Sequence, residues 1–386
     1  MANIHYLVKI SSNRASLFKT PILLDFYYSY DIIYIGKAWG MFPRSIRVFC
    51  HYHRSFKMSQ STQPVTQSPT FNTIYTHVKP HFDEAAAIAV MQLVGEQKYP
   101  GISKASVLFC RDGETVDGLD WKSHYIRGHL QIGVGGGLFD EHPTKDGTPR
   151  KVGQSACSLV VKALGLNEHP VYRKLSDYVT KSDQERTTDP FHLSNLIKCL
   201  YRMPGNNHDE TFLLAVKLVK AWICQELEGF KAQALVDSIL RNGQFNTVRV
   251  NIGGESKILK VTWAVCDNLK FAAMARNAGF AVVVQRNKNG LTQIFINQHH
   301  KHLMDIEAVV EAVRRAELLA QGGEESDLVG ENLRQIGKTA SVPNWYYMMP
   351  GDMLLNGSES APDTEPSKLS LPGLVHTVCD NIGKKG

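Results

Sequence analysis

A junction at residues 77–84 restricts the folds open to this chain more than any other stretch. It reads His-Val-Lys-Pro-His-Phe-Asp-Glu, and it joins a β-prone segment at residues 74–75 to the helix-forming run Ala85–Met91. Imidazoles and a carboxylate at the C-terminal end of a strand suit a divalent cation, and metal and phosphate chemistry usually lies at that edge of an open α/β sheet. An ordinary helix start with an acidic first turn is the alternative interpretation. The metal-ligand candidates are His77, His81 and Asp83.

Length and composition indicate a two-domain globular protein. The chain has 386 residues, of which 43% are hydrophobic and 21% are charged, as is usual for soluble proteins. It has no apolar run of the ~18 residues that a transmembrane helix needs, so no membrane association is expected. Its seven cysteines are scattered and form no CxxC pair, which predicts reduced thiols in a cytoplasmic setting.

The first 57 residues differ from the rest of the chain. They contain eight Lys or Arg and two Asp, which accounts for the whole net charge of +6. The remainder has no net charge, so its overall charge gives no reason to expect nucleic-acid binding. A local basic groove remains an alternative. We interpret residues 1–70 as a poorly ordered region whose first 57 residues are an over-extended start, with Met58 as the true initiator. A basic leader that targets an organelle is the alternative.

Strand-like and helix-like segments alternate from Phe71 onward. This alternation predicts an α/β domain over residues 71–244, with a mostly parallel sheet flanked by helices. A long helix over Asp209–Arg241 is expected to break near Gly229. After it, β-rich segments predict a smaller C-terminal α+β domain over residues 245–358, and residues 359–386 read as a flexible tail.

Three further segments carry potential ligands. Asp140 and His142 directly follow Gly135, Gly136 and Gly137, which let the chain turn tightly and approach a bound anion or metal. Asp183 ends a predicted helix. Asp112 follows a predicted strand. Each also has an ordinary interpretation, as part of a surface loop, a solvated helix end or a turn.

Together these segments resemble the DHH phosphoesterase superfamily. Its first motif, His-x-x-Pro-Asp-x-Asp, is similar to His77–Asp83 here, and His81 followed by Asp-Glu-Ala resembles the branch named for the melanocyte proliferating gene, also called metal-dependent protein hydrolases. That branch has Val-Gly-Gly shortly before its Asp-His-His motif, as Val134–Gly136 precedes Asp140–His142 here. Residues 154–158 resemble the small-residue helix that follows. The resemblance covers residues 71–245, and it implies a DHH-like fold with Asp183 as the fourth-motif Asp.

The resemblance also implies an activity, with two departures from the pattern. It implies two Mn²⁺ or Mg²⁺ ions that activate water to hydrolyse phosphodiesters. The branch that the chain most resembles implies an exonuclease that acts on RNA or short oligonucleotides. However, Gly133 replaces the second-motif Asp, and Glu141 replaces the first His of Asp-His-His. Glu141 could still bind a hard cation. The implied metal ligands are His77, His81, Asp83, Asp140 and Asp183, with Asp140 and His142 as catalytic residues.

Backbone N–H groups at glycines are the candidate substrate contacts. We expect Gly135 and Gly136 near the metal site, and Gly351 and Gly357 in a clamp on the substrate end. Two other functions stay open. The departures at Gly133 and Glu141 would suit a protein that binds nucleotide or nucleic acid without cleaving it, and carboxylate and histidine sites also occur in hydrolases of other bonds. Assembly into a homo-oligomer is also left open.

Overall fold

The computed structural model describes residues 69–111, 116–143, 153–185, 188–252 and 255–383. The proposed leader over residues 1–57, most of the predicted extension over 1–70, and Asp112 lie outside these ranges, so those predictions stay as they are.

A three-stranded parallel sheet forms the first half of the described chain. Its strands are β1 (Thr73–His77), β2 (Ser106–Cys110) and β3 (His129–Gln131). Their order is β2-β1-β3, so β1 is central and pairs in parallel with both neighbours. The register places His77 opposite Cys110. His77 therefore ends the central strand at the carboxyl edge of the sheet, the edge at which the sequence predicts a site.

Helices pack around this sheet in one apolar core. They are α1 (Phe82–Val94), α2 (Trp121–Ile126), α3 (Ala156–Ala163), α4 (Pro170–Gln184), α5 (Leu193–Leu200) and α6 (His208–Asn242). Helix α1 lies at the centre of this half, and every side chain from Phe82 to Met91 is buried. Its alanines make this burial on all sides feasible, because their small side chains let neighbouring elements approach closely. The core joins Ile74 of β1 to α1, α3, α4 and α6.

The 35-residue helix α6 is continuous, so the predicted break near Gly229 is wrong. A glycine within a helix costs only about 1 kcal/mol relative to alanine. That cost is small beside the packing along α6: Phe212 and Val219 lie in the first core, and Val236 and Ile239 lie in a second cluster with α7 (Phe271–Asn277). The helix therefore extends from one half of the described chain into the other.

A mixed six-stranded sheet forms the second half. Its strands are β4 (Phe245–Ile252), β5 (Glu255–Val265), β6 (Val282–Arg286), β7 (Thr292–Ile296), β8 (Tyr346–Met348) and β9 (Met353–Asn356). The order is β4-β5-β6-β7-β9-β8, and the β5–β6 pair alone among these neighbours is parallel. Helix α8 (Ile306–Ala320) packs with this sheet in one core. The fold class is therefore mixed α/β, as predicted, although the domain boundaries themselves remain a prediction.

The end of the described chain is ordered, so the predicted flexible tail is wrong for this segment. Helix α9 (Leu371–Asn381) contacts α8. Leu374, Val375 and Val378 are buried on one face of it. Their i, i+1, i+4 spacing places them on one side of a helix, but the preceding Ser- and Pro-rich stretch hides this signal in the sequence.

None of the helices in the described ranges combines the length and the apolar character needed to cross a bilayer.

Candidate metal centre

His77 has the ring orientation of a metal ligand. Its Nδ1 lies 3.0 Å from the carbonyl oxygen of Val78. A carbonyl oxygen can only accept a hydrogen bond, so Nδ1 carries the hydrogen and Nε2 is directed elsewhere. Nε2 lies 3.2 Å from Oε1 of Glu84. While the ring is protonated Nε2 donates to Glu84, and Nε2 would become available to a cation once that proton is lost.

The loop between β1 and α1 is held in one conformation. Lys79 adopts the left-handed region with a φ of 55°, which is uncommon for a residue other than glycine. The hydroxyl of Tyr201 donates to the Pro80 carbonyl at 3.0 Å. His81 then caps α1, while its backbone N–H donates to Glu84 Oε2 at 2.7 Å. The loop thus brings both histidines to the first turn of α1.

Glu84 lies at the centre of this arrangement. Its two oxygens contact His77 and the His81 backbone, and its side chain is 1% exposed. Burial raises the pKa of Glu84, but the hydrogen bond and the charge of His77 outweigh it, so that the pKa falls to about 2. The carboxylate packs against Gly133, where an added Cβ would lie 2.7 Å from the Cγ and Oε1 atoms of Glu84. Glu84 therefore fills the space next to the position where the resembling family has its second-motif Asp.

The glycine run organises Asp140. Gly135 and Gly136 both have positive φ, 77° and 67°, a conformation that glycine adopts without strain. The N–H of Gly136 donates to Asp140 Oδ2 at 2.7 Å, and the N–H of His142 donates to Oδ1 at 3.0 Å. The observed role of Gly136 is thus to position Asp140, and the predicted contact of these glycines with a substrate stays a prediction.

Asp140 in turn orients His142. The Nδ1 atom of His142 lies 3.0 Å from Asp140 Oδ1 and 3.6 Å from Glu141 Oε1. The hydrogen bond to Asp140 is the main cause that raises the pKa of His142 to about 9. Burial raises the pKa of Asp140, but its hydrogen bonds lower it further, so the net change is downward. The His142 ring is therefore oriented by Asp140, and the side chain remains 44% exposed.

Three carboxylates from two distant segments converge in the interior. Asp83, Glu84 and Glu141 each place an oxygen within 4.8 Å of the others, and each is exposed by 2% or less. Glu84 also groups with His77 and His81, and Glu141 also groups with Asp140 and His142. These three overlapping sets form one continuous array, which we call the acidic cluster. Its members are His77, His81, Asp83, Glu84, Asp140, Glu141 and His142.

The acidic cluster buries more carboxyl groups than its protein neighbours can hold in the ionised form. Within the described ranges, the ion pairs of Glu84 and Glu141 are with histidines. Buried oxygens of Asp83 (Oδ1) and Glu141 (Oε2) accept no hydrogen bond. Burial, the charge of Glu84 and a side-chain hydrogen bond with Glu84 raise the pKa of Asp83 well above its usual value, and the charges of Glu141 and Asp183 add to this. Burial is the main cause that raises the pKa of Glu141 to about 7. Unpartnered buried carboxylate oxygens beside oriented imidazoles fit a hard divalent cation such as Mn²⁺ or Mg²⁺.

Asp183 lies across a small cleft from this array. The cleft is lined by His81, Phe82, Asp83, Val179, Ser182, Asp183, Ser194 and Lys198. The charge of Asp183 contributes to the raised pKa of Asp83, although Asp183 belongs to none of the three close groups in the described chain. The structure thus brings four of the five predicted metal ligands into the acidic cluster and places the fifth beside it.

The other two predicted substrate glycines belong to the second sheet. Gly351 and Gly357 lie on either side of β9, and the missing Cβ of Gly357 faces Leu291. Their proposed role as a clamp on the substrate stays a prediction.

Sequence reasoning assigned no metal-binding role to Glu84. Its position in the first turn of α1 is also typical of a capping residue, and His81 and Glu84 do form a capping box. The sequence signal that pointed to Glu84 was the pair of departures from the family pattern, Gly133 and Glu141. A glycine at position 133 leaves room for the longer side chain of an acidic residue from another segment.

No protein-family model and no curated protein matches this chain.

Proposed function

We propose that this protein is a metal-dependent phosphoesterase that hydrolyses phosphodiester bonds in RNA or short oligonucleotides. The convergence of Asp83, Glu84 and Glu141 in the interior, with two oxygens left without donors, is the observation that carries the proposal. Burying carboxyl groups with unpartnered oxygens costs stability, and a bound cation that coordinates these oxygens would offset that cost. The resemblance to DHH phosphoesterases in the same segments supports a phosphoryl substrate over other hydrolysable bonds.

Mn²⁺ or Mg²⁺ would be held by the carboxylates of the acidic cluster together with His77 and His81. Such ions lower the pKa of water and offset negative charge at phosphorus. Glu141 adds a carboxylate where the resembling family has a His, so the loss of the second-motif Asp at Gly133 leaves the number of acids unchanged. This substitution supports a catalytic protein over one that has lost its site.

The protein's own groups have separate roles around the substrate. Asp140 fixes the His142 ring through Nδ1, which leaves Nε2 to donate a proton to the leaving oxygen. The exposed Lys198 lines the same cleft as Asp83 and Asp183, and its ammonium group can contact a phosphate oxygen there. The backbone of the chain need not move to assemble these groups, because hydrogen bonds within the loops already hold them.

An activity panel tests the proposal. The full chain, supplied with Mn²⁺ or Mg²⁺, is incubated with single-stranded RNA, dinucleotides and pyrophosphate. We expect hydrolysis that EDTA abolishes and that falls at least a hundredfold in Asp140→Asn. Asp305→Asn is the matched control, since Asp305 caps α8 in the other half and asparagine also caps helices well.

Two results would contradict the proposal. Intact substrates across the panel, with tightly bound metal, would favour a protein that binds nucleotides without cleaving them. Undiminished hydrolysis in Asp140→Asn would place the active site elsewhere.

A further inference from the structure

An apolar cavity of about 380 Å³ opens beside the acidic cluster. Its volume lies in the range of small-molecule sites. The floor is made by buried side chains of Leu175 and Val219. Leu193 and three aromatic residues, Phe82, Tyr178 and Trp222, complete the lining together with Lys174.

The walls of this cavity are fixed aromatic faces. Phe82 meets Tyr178 edge to face at 5.9 Å, and Tyr178 stacks on His192 at 5.0 Å with an interplanar angle of 26°. Lys174 Nζ lies 5.6 Å from the Trp222 ring centre and 2.7 Å from Glu226 Oε2. Tyr178 is nevertheless 46% exposed. Flat rings that are held in place and still accessible are suited to stacking with a planar ligand.

The cavity and the metal-side cleft share a wall. Phe82 lies between His81 and Asp83 in sequence and lines both spaces. On α4, Tyr178 lines the cavity, and Ser182, one helical turn later on the same face, lines the cleft. A ligand with a phosphate in the cleft can therefore extend an attached group into the cavity.

We propose that this cavity binds the base of a nucleotide whose phosphate lies at the acidic cluster. This inference rests on the proposed function and narrows it, because it makes the base a recognised part of the substrate. A lipid chain or an aliphatic side chain would use the apolar floor but not the aromatic walls. A base uses both, and its edge can hydrogen-bond with the Lys174–Glu226 pair.

Binding of adenosine 5′-monophosphate and ribose 5-phosphate tests the inference without turnover. The two ligands differ only by the base, and calorimetry on the full chain with Mn²⁺ measures both. We expect the nucleotide to bind more tightly. Tyr178→Ala should weaken nucleotide binding roughly tenfold to a hundredfold, since a stacked base contributes about 1–3 kcal/mol, and should leave ribose 5-phosphate binding unchanged.

Matched variants separate stacking from damage to the fold. Tyr178→Phe keeps the ring and should retain wild-type affinity, whereas Trp222→Ala should lose affinity as Tyr178→Ala does. Phe230→Ala is the control, because Phe230 lies on the same helix as Trp222, is 43% exposed and is not part of the cavity lining. It should have no effect.

Three results would overturn the inference. These are equal affinities for the two ligands, no measurable nucleotide binding at millimolar concentration, and nucleotide affinity that is unchanged in both Tyr178→Ala and Trp222→Ala. Failure of the proposed function looks different. If the nucleotide binds as expected but no phosphodiester is cleaved, the base pocket stands and the hydrolytic activity is rejected.

Discussion

Two regions of this protein bury carboxylates, and they treat them in opposite ways. In the second half, Glu317 on α8 is fully buried, and both of its oxygens accept hydrogen bonds. The donors are the Asn344 amide, the Trp345 indole, the Gln321 amide, the Ser367 hydroxyl and the Lys368 backbone N–H. In the acidic cluster, by contrast, one oxygen of Asp83 and one of Glu141 have no donor.

Arg314, a buried cation on α8, also serves to hold the fold together through hydrogen bonds. The guanidinium of Arg314 donates to the carbonyl oxygens of Leu333, Gln335, Gly337 and Trp345. Arg314 and Glu317 thus hold the segment that follows α8. This chain can therefore supply donors to a buried carboxylate. Where it leaves carboxylate oxygens unpartnered, function is the better explanation than poor packing.

The largest expected effect concerns catalysis. Asp83→Asn should reduce Mn²⁺-dependent hydrolysis more than a hundredfold, because it removes a central carboxylate of the acidic cluster. Loss of a residue that only hydrogen-bonds to a metal ligand costs roughly 10–100-fold. Glu317→Gln should retain most of its activity per folded molecule. Steady-state rates on a dinucleotide measure both, and similar losses in the two variants would remove the distinction between the regions.

The two regions should also differ in the sign of a stability change in EDTA. Glu317→Gln should lower the free energy of unfolding by about 2 kcal/mol, since an amide nitrogen then faces donors that need an acceptor. Glu141→Gln should raise it by about 1 kcal/mol, since burial penalises the charged form of Glu141 and raises its pKa to about 7, and the amide removes that penalty. Urea unfolding at neutral pH measures both changes. If both variants lose stability to the same extent, the charge on Glu141 is not a burden on the metal-free fold.

Acid should weaken the Glu317 region in a defined way. Burial raises the pKa of Glu317, but its hydrogen bonds lower it further, so its pKa in the folded protein lies below the usual value. A carboxyl of this kind adds stability above its unfolded pKa and loses that contribution as the pH falls through its folded pKa. The stability difference between wild type and Glu317→Gln should therefore shrink as the pH is lowered from 7 toward 3, and a constant difference would refute this.

A smaller effect tests whether Glu84 replaces the missing Asp at position 133. Gly133→Asp should lower stability by about 1–3 kcal/mol, because its Cβ would lie 2.7 Å from the Glu84 side chain and its φ is 69°. The double variant Gly133→Asp with Glu84→Ala should recover part of this loss and bind Mn²⁺ more tightly than Glu84→Ala alone. Calorimetry and thermal melts check both, and additive losses in the double variant would show that the two positions are independent.

Local patterns in the sequence predicted the fold class and most elements. The β1–α1 junction lies where the sequence predicts it, since the strand propensity at residues 74–75 gives way to alanines at residue 85. The failures involve tertiary packing. Helix α6 continues through Gly229 because cores at both ends hold it, and α9 is stabilised by burial against α8. The importance of Glu84 depends on a contact with Gly133, 49 residues away in sequence, which no local pattern records.

Titration of the metal-free full chain with Mn²⁺, followed by calorimetry and thermal melting, tests the central claim most directly. The acidic cluster should bind the ion, and saturation at a hundred times the dissociation constant should add about 2.7 kcal/mol of stability. Glu84→Gln should greatly reduce both effects, whereas Glu317→Gln should still bind the ion and gain stability from it. If the wild-type chain shows no heat of binding and no shift in melting temperature, these carboxylates do not form a metal centre.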